Sequence, residues 1–177
     1  FVINPSGASS YSYSGGSNTV MPVTTTIYSV TGTSSAGCVS SAPATLTVTV
    51  NPLPTITVNN GTICTGANYT LTVSGANSYT YSSGSNVVSP TTNTVYTVSG
   101  TSTAGCVSAS SASVNITVNP LPTITVNSGA ICTGQSFTMN PSGASNYTYS
   151  GGSAIVSPTS NATYSVTGTS SLGCVGS

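Results

Sequence analysis

Apolar side chains in the stretch from residue 51 to 118 fall on alternate positions in short runs: Ile56 and Val58, Leu71 and Val73, Tyr79 and Tyr81, Tyr96 and Val98, then Val114, Ile116 and Val118. The positions between them are mostly Thr and Ser. Alternation over four to eight residues marks a half-buried strand, with one face on a core and the other in water. The pattern predicts strands at Thr55–Asn59, Tyr69–Ser74, Tyr79–Ser82, a short piece near Asn86–Ser89, Thr94–Thr101 and Ser113–Val118, with those eleven apolar residues facing inward. Earlier in the chain the same runs occur at Phe1 and Ile3, Tyr11 and Tyr13, Ile27–Val30, and Leu46, Val48 and Val50. Gly15-Gly16, Pro22 and Ala36-Gly37 separate them as turns. No segment carries a helical apolar stripe, so no helix is expected.

The pattern is periodic. Asn51-Pro52-Leu53-Pro54-Thr55-Ile56-Thr57-Val58-Asn59 returns letter for letter at Asn119 to Asn127, an offset of 119 − 51 = 68. Cys38, Cys106 and Cys174 keep the same interval, as do Cys64 and Cys132. A repeat of this kind dictates the architecture. Six or seven short strands in each period predict an all-β fold of tandem, Ig-like β-sandwich repeats. The expected division is 1–50 (a repeat without its first strand), 51–118 (a complete repeat) and 119–177 (a repeat without its last strand). Phe1–Ser9 matches Phe137–Ser145 at twice the interval (137 − 1 = 136), so the sequence reads as a piece of a longer protein. Asn51-Pro52-Leu53-Pro54 and its copy at Asn119 act as linkers; two prolines fix φ and favour a short, stiff, extended spacer. A rod is expected, not a flexible string.

Composition narrows the function. The 177 residues include no Asp, Glu, Lys, Arg or His, where an ordinary domain of this length would carry roughly 44 charged residues. General acid–base catalysis draws mostly on the missing side chains, and neither a Ser-His-Asp nor a Cys-His device can be assembled. The expectation is a protein that is not an enzyme, with no catalytic, metal or cofactor site. Carboxylate calcium sites and His-based zinc sites are excluded by residue type. Without Lys or Arg there is no means of neutralising phosphates, so no nucleic-acid partner is expected. No run of about 18 apolar residues occurs, so no membrane-inserting segment is expected either.

The five cysteines form a periodic set. Within a repeat they keep one spacing (106 − 64 = 42 and 174 − 132 = 42), which predicts disulfides Cys64–Cys106 and Cys132–Cys174. Cys38 would then pair at 38 − 42 = −4, outside the sequence. The rival scheme joins Cys38 to Cys64 and Cys106 to Cys132 across the junctions, at the shorter spacing 64 − 38 = 26. A third reading leaves the cysteines reduced and buried; their recurrence in register in a Thr/Ser-rich repeat points instead to an oxidising, extracytoplasmic setting. A repeat this small buries only about 60% of its unfolded surface, so a covalent staple counts for much.

Recurring tyrosines (Tyr11/Tyr13, Tyr79/Tyr81, Tyr147/Tyr149, and Tyr28, Tyr96, Tyr164) admit two readings. They are exposed platforms for sugar, or they pack in the core and anchor a strand corner through the hydroxyl; the second is favoured. Sequons such as Asn60-Gly61-Thr62 and Asn115-Ile116-Thr117 arise readily in a chain so rich in Asn and Thr.

Taken as an ordered set, Ile63-Cys64-Thr65-Gly66, Tyr69–Ala76, Tyr79-Thr80-Tyr81, Thr94–Thr101, Gly105-Cys106 and the Asn-Pro-Leu-Pro linker resemble the tandem Ig-like repeats of giant secreted surface proteins of Bacteroidota, over essentially the whole chain. That resemblance implies type IX secretion, an extracellular location, and a role in adhesion, gliding or filament formation. The resulting expectation is a structural segment of an extracellular filament or surface stalk. It associates with copies of itself, because strands such as Leu46–Val50 and Val114–Val118 lack the Lys that usually guards exposed sheet edges. The alternative is an adhesin that recognises surface glycans through exposed Tyr and Thr.

Overall fold

The computed structural model describes residues 1–177 and contains strands and turns without α-helix. The first stretch forms a three-stranded antiparallel sheet from β1 (Ser10–Tyr13), β2 (Thr26–Thr33) and β3 (Ala44–Val48), in that order. The middle stretch contains β4 (Thr57–Val58), β5 (Gly61–Cys64), β6 (Tyr69–Thr70), β7 (Val73–Ser74), β8 (Ser78–Tyr81), β9 (Val87–Val88), β10 (Thr94–Thr101) and β11 (Ala112–Asn119). The last contains β12 (Phe137–Thr138), β13 (Asn146–Tyr149), β14 (Ile155–Val156), β15 (Val166–Thr169) and β16 (Val175–Gly176).

The middle stretch builds the most extensive sheet, in the order β5-β11-β10-β8. β8, β10 and β11 pair antiparallel, whereas β5 runs parallel to β11, with Gly61 opposite Ile116 and Cys64 opposite Asn119. Across from this sheet, β6 and β7 are two halves of one extended segment; β7 pairs with β4 and β6 with β9. Both layers feed one core of Ile63, Leu71, Val88, Val114 and Ile116, flanked by Val58, Tyr69, Val73, Tyr81, Tyr96 and Val118. This arrangement is consistent with a β-sandwich. Smaller cores form around Ile3, Val20 and Val30 and around Met139, Val156 and Val166. The eleven positions expected to face inward are all buried or half-buried.

Three expectations are corrected. β5 lies where the alternation predicts no strand. Gly-Thr-Ile-Cys is too short to alternate visibly, and its partner is distant in sequence (116 − 61 = 55). β11 is not an edge, since β5 and β10 flank it; of the two strands expected to be unguarded, only β3 borders open space. The third correction concerns the cysteines. Cys64 is joined to Cys174, and Cys38, Cys106 and Cys132 are free thiols. Neither Cys64–Cys106 nor Cys132–Cys174 forms, and neither does the rival pairing of Cys38 with Cys64 and Cys106 with Cys132.

Strand direction explains the correction. Cys64 lies level with Asn119, at the C-terminal end of β11. Cys106 sits in the β10–β11 connection, beyond the opposite end at Ala112. The extended strand between those ends separates them by roughly 23 Å. A disulfide requires Cα atoms about 4.4–6.8 Å apart. The bond to Cys174 meets that requirement at 5.6 Å.

Candidate functional site

The feature that distinguishes this chain chemically is the junction at Asn119-Pro120-Leu121-Pro122. β11 runs directly into it, ending at Asn119. The Asn119 carbonyl accepts hydrogen bonds from the Thr65 N–H (2.9 Å) and the Thr65 hydroxyl (3.1 Å), which hold the end of β5 beside the linker. On the far side of the linker, Cys174 brings its Sγ within 3.9 Å of the same carbonyl. The disulfide thus ties the last residue of β5 to the turn that follows β15, and it crosses the junction that the two prolines stiffen. Cys174 is fully buried there.

The turn that presents Cys174 is built three times. In Ser34–Cys38, Ser102–Cys106 and Ser170–Cys174 the cysteine N–H donates to the serine hydroxyl at 3.2, 3.2 and 3.1 Å. The serine N–H donates in turn to the cysteine carbonyl at 2.9, 2.9 and 2.8 Å. The backbone of each cysteine is therefore held by local bonds that do not depend on a disulfide. Cys106 repeats the placement of Cys174 in a further respect, its Sγ lying 3.9 Å from the carbonyl of Asn51, the first residue of the preceding linker. Cys132, by contrast, stands in Gly129–Cys132, which has the position of β5 in the last stretch but pairs with no strand. Its thiol is exposed.

The tyrosines sit differently from a sugar platform. All ten are half-buried. The Tyr79 hydroxyl accepts from the Ala76 N–H at 3.1 Å and donates to the Ala76 carbonyl at 2.9 Å, closing the turn before β8. Tyr147 does the same with Ala144, both at 2.9 Å, and Tyr11 accepts from the Ala8 N–H at 2.8 Å. These hydroxyls are occupied by backbone, and the rings of Tyr11 and Tyr147 lie against the cores. Strand-corner anchoring is what these contacts do.

An apolar cleft of about 340 Å³ opens in the last stretch, lined by Val126, Ile131, Phe137, Met139, Val156 and Tyr164 among others. In the middle stretch the corresponding place beside Ile63, Leu71 and Tyr96 is filled by Val114 and Ile116 of β11. The cleft residues Ile131, Phe137, Met139, Val156 and Tyr164 stand one period after Ile63, Tyr69, Leu71, Val88 and Tyr96 of the middle core. No protein-family model matches the chain, and no curated protein matches it either.

Proposed function

We propose that this chain is a non-catalytic structural segment, a run of Ig-like β-sandwich repeats of one period each, divided at 1–50, 51–118 and 119–177, which forms an extracellular filament or surface stalk by association with copies of itself. The observation that carries the reading is the Cys64–Cys174 bond, which spans a proline-stiffened junction and not the interior of one repeat. A staple beside a two-proline linker removes bending freedom where neighbouring repeats meet, which suits a rod that transmits load. A disulfide belongs with an oxidising compartment, which supports an extracellular setting. A surface of Thr, Ser and Asn without charge lets copies approach with no ionic desolvation cost and no like-charge repulsion. The backbone-bound tyrosine hydroxyls favour this reading over glycan recognition.

The test combines negative-stain imaging with sedimentation of the oxidised chain over a concentration range. Straight rods that lengthen or associate as concentration rises are expected. Particles that bend freely at the linkers, or strictly monomeric sedimentation at high concentration, would overturn the proposal and leave an adhesin arm as the better account.

A further inference from the structure

We propose that the Cys64–Cys174 bond carries tension around the middle and last stretches, and so sets how far the chain can be pulled. The proposal rests on the load-bearing reading above and adds a redox control to it.

Connectivity decides the load path. A pull that enters before Cys64 and leaves after Cys174 has two covalent routes between these residues. One is the disulfide, with Cα atoms 5.6 Å apart. The other is the intervening chain, a separation of 110 residues, which spans roughly 360–400 Å when extended. The short route becomes taut first, and the long one then bears no end-to-end force. Inside the closed loop lie β6 to β15. With them lies most of the apolar core: Leu71, Val98, Val114 and Ile116 of the middle stretch, and Met139 and Val166 of the last.

The anchors on either side suit this path. β5 ends at Cys64, so a pull from Asn60 at one end and through the sulfur at the other acts along the strand. The two pulls balance within β5, and its parallel bonds to β11 carry little net shear. Thr65, the next residue, is tied to the Asn119 carbonyl by its N–H at 2.9 Å and its hydroxyl at 3.1 Å, which keeps the loop closed at its mouth. At the other sulfur, the Cys174 N–H donates to the Ser170 hydroxyl at 3.1 Å, and the Ser170 N–H to the Cys174 carbonyl at 2.8 Å. Beyond Cys174 the load leaves through β16, whose two residues pair with β15. Peeling them frees none of the chain between the cysteines.

Burial makes the bypass persistent. Cys174 is fully buried and Cys64 half-buried, and exchange requires an attacking thiolate to reach a sulfur. A dithiol such as dithiothreitol cuts the bond in two steps. Its first thiolate attacks one sulfur, forms a mixed disulfide and releases one cysteine; its second closes the reductant's own ring and releases the other. Two electrons and two protons pass from the dithiol to Cys64 and Cys174. Tension then enters the loop, and both stretches unfold at rates set by their own barriers.

The experiment pulls single molecules of the full chain, held by handles fused at both ends, in optical tweezers with and without dithiothreitol. Without it, the stretched molecule should stop short by the length of the loop. With it, the same molecule should gain roughly 360–400 Å in one or more steps. Whatever the first stretch does is common to both traces. Val98→Ala and Val166→Ala weaken the shielded cores; each should leave the unreduced trace unchanged and lower the unfolding force only after reduction. Cys64→Ser should reach the long extension with no reductant, folded or not. Full extension of the unreduced wild type would overturn the proposal, as would an unreduced trace that Val98→Ala weakens. So would a gain of only roughly 140–150 Å, the span of a 42-residue loop. If the full gain appears but the chain never sediments as assemblies, the bypass stands and self-association falls. If assemblies form and the unreduced chain extends fully, self-association stands and the bypass falls.

Discussion

Leu46 and Val114 occupy the same place in their strands, one period apart (114 − 46 = 68), and meet different surroundings. Val114 is fully buried, with β5 on one side and β10 on the other. Leu46 is half-buried at a sheet edge. The local pattern is the same, Ala-Ser-Val-Asn-Ile-Thr-Val in one and Ala-Thr-Leu-Thr-Val-Thr-Val in the other. What differs is a strand contributed from elsewhere. Alternation decides that a segment is a strand and which face turns inward. Burial depends on whether a further strand arrives to cover the edge, and in this chain β5 does so for the middle stretch alone. In the last stretch Gly129–Cys132 has a position equivalent to β5 and forms no strand.

The contrast leads to graded expectations. The largest effect should come from the staple, the only covalent tie between the middle and last stretches apart from the backbone. Its sequence separation is 110, for which the chain-entropy relation gives about 4–5 kcal/mol. Denaturant melts of Cys64→Ser should show a loss of that order concentrated in the middle and last stretches. Cys38→Ser should leave stability almost unchanged.

Ile116→Ala empties a fully buried site that both neighbouring strands enclose, and a loss of about 2–5 kcal/mol is expected. Val48 holds the equivalent place on the open edge and is half-buried, so Val48→Ala should cost only about 1 kcal/mol. Hydrogen exchange resolved over β10 and β2 reads the two separately. Equal losses would mean that the first stretch is covered in solution.

Gly75 and Gly7 sharpen the comparison further. Both have left-handed φ, +106° and +96°. A Cβ at Gly75 would collide with the carbonyl oxygen of Thr55, whereas one at Gly7 meets nothing within 4 Å. Alanine at either costs about 1–2 kcal/mol of backbone strain. Only Gly75→Ala should add a clash and loosen the pairing of β4 with β7, which exchange at Val58 and Val73 would report.

The smallest effect concerns pH. Stability follows pH only through groups that bind protons differently in the folded and unfolded states. Asp, Glu, His, Lys and Arg are all absent. Melting temperatures in all three stretches should therefore hardly move between acid and neutral solution, and a steep acid transition in any one would contradict this.

Much of the fold is legible in the sequence. The pattern bounds Thr94–Thr101 as β10 is bounded, because its alternation is long and Gly100 leaves it uninterrupted. Alternation also locates Tyr69–Ser74 as one strand, although that segment divides its pairing between β9 and β4. The cysteine partners are not legible, and the reason is specific. In a periodic chain, spacings of 42, 26 and 42 + 68 = 110 fit the sequence equally well. The choice depends on which end of β11 each cysteine adjoins. That depends on β5, a short parallel strand whose partner lies far away in sequence. Local pattern carries no signal for such a pairing, and the missed strand and the misassigned disulfides are one error.

The central claim, that the chain is stapled across its junction and not within its repeats, is tested most directly by chymotryptic mapping of the unreduced protein. Mass spectrometry should recover the peptide containing Cys64 linked to the one containing Cys174, with both released on reduction. Recovery of Cys64 linked to Cys106, or of Cys132 linked to Cys174, would contradict it.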